Sequence, residues 1–122
     1  MVIFMVYREE TRIKNKNEIC MVKFNDEIIC VDPAIPLMAI LGKKYSMLIL
    51  SVLEQNNIKR NFNEILKHIP YSSTTIISKR LKDLEYLNLI KKINSTDGIY
   101  YNLTDYGSKI IKSLYGFFKA VE

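Results

Sequence analysis

Apolar residues between positions 73 and 88 recur at the spacing of one face of an α-helix. At about 100° per residue, Ile77, Leu81 and Leu84 fall close together, with a polar face opposite them. Ser73 suits the N-cap position, because its hydroxyl can accept a hydrogen bond from a free N–H group of the first turn. The polar face carries hydroxyl and ammonium groups and no carboxylate, on Thr75, Ser78, Lys79 and Lys82. Such a helix suits a DNA groove, although an ordinary solvated surface helix shows the same pattern.

Two helices are predicted further upstream. The first begins with Asp32 as its N-cap and Pro33 as its first residue, and it ends near Gly42. The second runs from about Lys44 to Glu54 and is largely apolar. A helix with so few polar positions is expected to lie in the core.

A short third helix completes a helix-turn-helix. It is expected over residues 62–69, with Asn61 or Asn63 as its N-cap, and Pro70 ends it. Tyr71-Ser72 then forms a short turn into the amphipathic helix described first. Two short helices joined in this way, the second with a polar outer face, predict a helix-turn-helix.

A β-hairpin is predicted directly after this pair of helices. Residues 89–93 and 99–103 are strand-like, and the segment between them, Asn94–Gly98, contains the residues that favour turns. A hairpin at this place in the order is the wing of a winged helix, at about 89–103.

The last segment predicts a terminal helix. Thr104 is a good N-cap, and apolar residues continue at helical spacing as far as Phe117-Phe118. The aromatic end is larger than a solvent-facing helix needs. It indicates packing either on an N-terminal sheet or on a partner chain.

The N-terminal residues predict a small antiparallel sheet. Residues 2–7 are β-branched and aromatic, and two apolar runs, 19–24 and 27–31, flank Asn25-Asp26. Asn and Asp tolerate positive φ, so the second and third segments are expected to form a hairpin at 19–31.

The register of this hairpin decides where its two cysteines lie. A two-residue turn places Cys30 opposite Met21 and Cys20 opposite Val31, with the thiols on opposite faces. A three-residue loop centred on Asn25 would place the two thiols opposite each other. The residues leave both registers open.

Taken together, the elements predict an α+β fold that is mainly α. Residues 32–122 form a winged helix-turn-helix with a C-terminal dimerisation helix, and residues 1–31 form an N-terminal β extension. A chain of 122 residues is long enough for one such domain with a modest core.

Composition favours an anionic partner and gives no sign of a membrane or a metal. The net charge is +5, and the pI is about 9.2. No apolar run approaches the roughly 20 residues that span a bilayer, so we expect a cytoplasmic protein. The sequence has no C-x-x-C pair, and we expect neither a metal site nor a cofactor.

Catalytic motifs are absent from the sequence. It has one histidine, His68, and no H-E-x-x-H, Gly-rich phosphate loop or nucleophile elbow. A metal sensor would need Cys20, Cys30 and His68 to converge, which their spacing does not indicate. We therefore predict that the protein is not an enzyme.

Several short motifs resemble those of the HxlR-type winged-helix transcriptional regulators. Leu41-Gly42-Lys43-Lys44-Tyr45 is similar to the family's Ile-Gly-Gly-Lys-Trp, with tyrosine for tryptophan, and Met47-Leu48-Ile49-Leu50 follows as it should. Arg60-Asn61-Phe62-Asn63-Glu64-Ile65 resembles Arg-Phe-Asn-Glu-Leu with one residue inserted. Ile69-Pro70 and Ser73 stand where the family has Ile-Pro and a capping serine.

The resemblance continues through the wing and into the last helix. Leu81-Lys82-Asp83-Leu84-Glu85 and Leu89-Ile90 match the family's Leu-x-x-Leu-Glu and Gly-Leu-Val, with Asn88 in place of the glycine. Tyr101-Asn102-Leu103-Thr104-Asp105-Tyr106-Gly107 resembles Tyr-x-Leu-Thr-x-x-Gly. These pieces run from Leu41 to about Phe118, near two thirds of the chain. The resemblance implies a DNA-binding regulator that forms a homodimer through its terminal helices.

Two departures from the family concern the N-terminal part. The family often has a cysteine before the first helix, which some members use as a redox sensor. That position is Asp32 here, and Cys30, the candidate redox residue, lies two residues earlier. The N-terminal strands are longer than usual, so they are either an added dimer element or the coding start is Met21.

We therefore predict sequence-specific binding to double-stranded DNA, with helix 73–88 in the major groove and the wing on the backbone or minor groove. The alternative is a winged-helix module that binds protein and not specific DNA. Arg80, nearer the core side, is expected to pair with a phosphate or with Glu85. The predicted DNA-binding residues are Ser73, Thr75, Ser78, Lys79, Lys82, Lys91, Lys92, Ser95 and Thr96.

Overall fold

The computed structural model describes residues 21–55 and 58–122. The predicted strand at 2–7 and Cys20 lie outside the described residues. In chain order, the elements are β1 (Met21–Phe24), β2 (Glu27–Cys30), a 3-10 turn (Asp32–Ala34), α1 (Ile35–Leu41), α2 (Ser46–Glu54), β3 (Arg60–Asn61), α3 (Phe62–His68), α4 (Thr74–Tyr86), β4 (Ile90–Ser95), β5 (Gly98–Leu103), α5 (Asp105–Ser113) and α6 (Tyr115–Ala120).

The described chain divides into two compact units, the first of which ends at Lys43 and the second of which begins at Lys44. Helix α1 therefore lies in the first unit, and the boundary at 31/32 stays a prediction. In the described part of the chain, no single helix is long and apolar enough to cross a membrane. The helices at 32–41 and 46–54 are long and apolar enough for a membrane span only when they are counted together as a bent pair.

The first unit contains the predicted hairpin with a two-residue turn. Met21 pairs with Cys30 across β1 and β2, and Asn25 and Asp26 have φ values of 50° and 66°. Of the two registers left open by the residues, this is the one found. Cys30 is a free, exposed thiol.

The predicted N-cap role of Asp32 is wrong. Val31, the residue before it, already has helical angles, and Asp32 is the first residue of the 3-10 turn. A capping side chain needs an extended backbone at its own position, so Asp32 cannot cap the helix. The α-helical conformation begins only at Ile35.

Helix α2 is the centre of the second unit. It packs against α3, α4, α5 and β5. The helix begins at Ser46 and not near Lys44, because Tyr45 has a left-handed backbone with φ 73°. The almost completely buried apolar side chains of this unit lie on α2 itself and on the elements that follow it, namely Ile49, Leu50, Leu53, Ile65, Ile77, Leu81, Leu84, Leu89 and Ile90.

Reciprocal hydrogen bonds fix the start of α3 at Asn61. Its side chain accepts a bond from the Glu64 N–H group, and the Glu64 carboxylate accepts one from the Asn61 N–H group, each at 2.8 Å. This capping box settles the choice between Asn61 and Asn63. Asn61 also belongs to β3, a two-residue strand that the sequence analysis did not predict.

The wing is part of a three-stranded antiparallel sheet in the order β3-β5-β4. Its strands are longer than predicted, because Asn94 and Ser95 still pair with β5. The turn is therefore only Thr96-Asp97, and it is followed by Gly98 at φ 137°.

The predicted terminal helix forms two helices, α5 and α6. Thr104 caps α5 as expected, with its Oγ1 accepting a bond from the Gly107 N–H group at 2.9 Å. At Leu114 the N–H group bonds to the Ile111 carbonyl in a tighter turn, and α6 then begins at Tyr115. Gly116 follows this break, and glycine is a poor residue for a continuous helix.

Candidate nucleic-acid interface

Helix α4 is held by both of its ends. Ser73 has an extended backbone, and its Oγ accepts a bond from the Ile76 N–H group at 3.4 Å, which confirms the predicted N-cap. At the other end, Asn88 has φ 63°, and the Leu89 N–H group bonds back to the Leu84 carbonyl. A left-handed residue in this position ends a helix sharply, so the wing starts at a defined place.

The outer face of α4 forms a shallow concave surface. Thr74, Thr75, Ser78, Lys79 and Lys82 line about 470 Å³ of space. Ile77 and Leu81, on the opposite side, are buried, so the helix presents its polar face outward. We call these five lining residues the α4 groove.

Thr74 is the member of the α4 groove that the sequence analysis missed. It lies four residues before Ser78, and residues at that spacing share one face of a helix. Helical periodicity alone could therefore have included it. Ser73, by contrast, is exposed, but its hydroxyl already serves as the cap.

Arg80 pairs with Asp83 and not with Glu85, which was one of its two expected partners. Its Nη1 lies 3.1 Å from Oδ2 of Asp83, and its Nε donates to the carbonyl oxygen of Lys44 at 3.1 Å. Residues three apart are neighbours on a helix, whereas residues five apart point in different directions. The guanidinium group therefore joins α4 to the segment before α2.

Lys91 and Lys92 are both exposed on β4, but they do not lie on one surface. They pair with Asn102 and Tyr101 of β5, respectively. Because successive side chains of a strand point to opposite faces, the two ammonium groups leave the wing on opposite sides. Only one of these two faces can lie directly against DNA.

The wing tip is arranged around the carboxylate of Asp97. The hydroxyl groups of Ser95 and Thr96 donate to its Oδ1 at 2.9 and 3.1 Å, and the Tyr100 hydroxyl donates to Oδ2 at 3.4 Å. The hydrogen bonds from Ser95 and Thr96 lower the pKa of Asp97 below its ordinary value. The negative charge of Asp97 in turn raises the pKa of Tyr100. The two predicted DNA-binding hydroxyls are therefore engaged within the tip.

Lys59 is a further cation beside the wing. Its Nζ lies 4.5 Å from the centre of the Tyr100 ring, a cation–π distance. The pairing of β3 with β5 brings this residue to the wing. Sequence analysis missed Lys59 because no local pattern predicted the short strand β3.

A second surface, mainly apolar, lies along the terminal helices. It encloses about 490 Å³ and is lined by Ser51, Glu54, Ile111, Lys112, Tyr115 and Phe118. Glu54 accepts a bond from the Ser108 hydroxyl at 3.0 Å and lies 3.6 Å from the Lys112 ammonium group. On α6, Tyr115 and Phe117 remain 65% and 54% exposed.

Possible metal ligands are not gathered in the part of the chain that the structure describes. Residues 21–55 and 58–122 contain no group of three or more His, Cys, Asp or Glu side chains placed to hold an ion.

Two helices joined by a tight turn, a paired wing and a basic outer helix define a winged helix-turn-helix protein. The sequence model of the HxlR-like helix-turn-helix family matches residues 40–121. The chain belongs to this family. The predicted family and fold class are thereby confirmed.

Solved structures of transcriptional regulators are similar to this chain. A possible HxlR family transcriptional factor from Thermoplasma volcanium GSS1 is 39% identical, with a TM-score of 0.74, over 83% of this chain and 92% of that one. The reduced form of the transcriptional regulator YodB from B. subtilis is 26% identical, with a TM-score of 0.60, over 74% of this chain and 85% of that one.

The transcriptional repressor BigR from Xylella fastidiosa shares the fold alone, at 19% identity and a TM-score of 0.63, over 75% of this chain and 89% of that one. The comparison with curated proteins gave no match. The family and its relatives identify the chain as a DNA-binding transcriptional regulator, as predicted.

Proposed function

We propose that this regulator binds its operator as a homodimer, with α4 of each protomer in the major groove. The observation that carries the proposal is the α4 groove, in which hydroxyl and ammonium groups are exposed together without a carboxylate. The major groove presents both hydrogen-bonding base edges and nearby phosphates to such a face.

The side chains of the α4 groove differ in length, and we assign their DNA contacts accordingly. Thr75 and Ser78 are short and need close approach, so we assign them to base edges together with Lys79. Lys82 is assigned to phosphate. Longer cationic side chains can neutralise a phosphate from several positions, which raises affinity for every sequence alike.

The wing contributes less than the sequence analysis assigned to it. Ser95 and Thr96 donate to Asp97, and that carboxylate repels phosphate. We retain Lys91 and Lys92 as cations of the wing, with one of them on the side that faces DNA. Lys59 is a further cation for the same backbone.

Dimerisation is proposed through the terminal helices. The exposed aromatic side chains of α6 and the adjoining apolar surface support it, because apolar patches of this kind mark interaction sites. A second copy would place two α4 helices on successive turns of one DNA face. We further propose that the protein acts in the cytoplasm, with the DNA, and that it is not an enzyme.

The test begins with selection of bound duplexes from a random pool, which supplies the operator. Binding of Lys79→Ala and Lys82→Ala to operator and random duplex is then measured across a salt series. Each phosphate-contacting lysine removed should lower the salt slope by about one, on both DNAs. If Lys79 reads a guanine edge, its loss should cost about 1–3 kcal/mol on the operator and much less on random DNA.

Lys109→Ala is the control, since Lys109 is an exposed lysine of α5 outside the α4 groove. It removes the same charge and should leave operator binding nearly unchanged. Wild-type binding by both groove variants, with normal melting, would remove the DNA assignment from this face. The protein-binding alternative would then replace it.

A further inference from the structure

The turn before α4 carries an aromatic side chain that does not pack against the described chain. Tyr71 is fully exposed, at 103% of its reference accessible area. No described residue bonds its hydroxyl or stacks on its ring. The ring is therefore presented to solvent in the turn that precedes α4.

The backbone of Tyr71 makes this exposure unexpected. Its φ is +65°, in the left-handed region that glycine adopts readily and bulky side chains avoid. The neighbours hold the turn in this shape, since Pro70 precedes it and the Ser72 hydroxyl donates to the Ile69 carbonyl at 2.6 Å. A glycine would meet the same backbone demand without strain. The tyrosine side chain thus costs stability and recovers none of it by packing.

The position of Tyr71 suggests what the side chain contacts. It lies two residues before the cap Ser73 and three before Thr74, the first lining residue of the α4 groove. In a helix-turn-helix, the N-terminal residues of the second helix contact base edges in the major groove while the first helix crosses the backbone. The turn that joins the two helices therefore lies near the sugar-phosphate backbone. The segment 69–73 carries no carboxylate that would repel a phosphate.

We propose that Tyr71 is a DNA-backbone contact of this regulator, with its hydroxyl donating to a phosphate oxygen beside the groove that α4 enters. The inference rests on the proposed placement of α4. A neutral phenol adds a hydrogen bond to a charged acceptor and releases no counterion. It therefore adds affinity for all sequences without adding to the salt slope.

The experiment compares Tyr71→Phe, Tyr71→Ala and Tyr71→Gly for melting temperature and for binding to operator and random duplex. Tyr71→Phe should melt as wild type and bind both DNAs about tenfold more weakly, as expected for one lost hydrogen bond to a charged group. Its salt slope should not change. Tyr71→Gly should melt above Tyr71→Ala, because only glycine relieves the backbone, and both should bind DNA as weakly as Tyr71→Phe or more so.

Tyr106→Phe is the matched control, an exposed tyrosine on α5. It should leave DNA binding unchanged. If the three Tyr71 variants bind both DNAs as wild type does while Lys79→Ala and Lys82→Ala weaken binding, the Tyr71 contact is wrong and the proposed function stands. A loss confined to the operator would also overturn the phosphate contact, since it would mean base reading. If the lysine variants bind normally too, the placement of α4 itself fails.

Discussion

Gly107 lies against the main-chain carbonyl of Leu89, so closely that a β-carbon at residue 107 would overlap the carbonyl oxygen. The same carbonyl accepts a bond from the Thr104 N–H group at 3.1 Å, and the Thr104 hydroxyl donates to the Asn88 carbonyl at 2.7 Å. The first turn of α5 is thereby fastened to the base of the wing.

Gly107→Ala should therefore destabilise the protein. The clash is with backbone, which cannot swing aside, so we expect a loss of about 1–3 kcal/mol, as for overpacked cores. Thermal melting measures it. Gly116→Ala is the control, because outside its chain neighbours and the backbone of its own helix no atom lies within 4 Å of its would-be β-carbon, and alanine favours a helix. If the two variants melt alike, the close contact at Leu89 is not a constraint.

Arg80 should matter for stability more than for direct DNA contact. Only 12% of its side chain is exposed, and its guanidinium bonds both Asp83 and the Lys44 carbonyl. Arg80→Ala should lower the free energy of unfolding by about 1–3 kcal/mol, because the largely buried Asp83 carboxylate loses its charged partner. Urea denaturation of Arg80→Ala beside Lys79→Ala gives the comparison, and the lysine variant should be unaffected. An Arg80 variant of full stability and weak DNA binding would instead indicate a phosphate contact.

Removing the charge at the wing tip should strengthen DNA binding. Hydrogen bonds from Ser95 and Thr96 lower the pKa of Asp97 from its ordinary value of 3.8, so its carboxylate stays ionised as pH falls from about 8 to 5. Asp97→Asn should raise affinity a few fold, and more at low salt than at high salt. The gain should be the same across this pH range.

Asp26→Asn provides the charge-matched comparison for the wing-tip variant. It makes the same change in the turn of the N-terminal hairpin, where asparagine tolerates the positive φ. Equal effects of the two substitutions would mean that net charge, and not the position of Asp97, sets the gain.

We expect a dimer in solution at micromolar concentration, measured by light scattering. Phe117→Glu should shift it towards monomer, because a charge would replace an apolar side chain in the proposed contact. Ile58→Glu serves as the control at a matched exposure of 53%, outside the terminal helices. A wild-type monomer, or equal effects of both variants, would argue against α6 as the contact.

Reducing agent should change DNA affinity little. Cys30 is a free, exposed thiol, but the position where the family often has its cysteine is Asp32 in this chain. Binding is measured with and without a thiol oxidant, for wild type and for Cys30→Ser. A response to oxidant that disappears in Cys30→Ser would show that the shifted cysteine is a sensor.

The sequence by itself determined most of the helices and the caps Ser73 and Thr104, because these depend on residues within one or two turns of each other. The spacing of Ile77, Leu81 and Leu84 defined the buried side of α4, and Ser73 defined its start. The residues left the cap of α3 open between Asn61 and Asn63, and the structure decided it through the Asn61–Glu64 capping box. The break between α5 and α6 was missed, since a single tighter turn at Leu114 hardly disturbs the apolar spacing.

The tertiary structure alone decided which polar groups remain available to a partner. Arg80 meets a carbonyl that is 36 residues away, and β3 brings Lys59 to the wing. Ser95 and Thr96 bond Asp97 because the hairpin turn is two residues long and not five. Residue type shows that a side chain can donate or accept a hydrogen bond. Which partner it bonds depends on how segments distant in the sequence pack together, and a local sequence pattern does not give that packing.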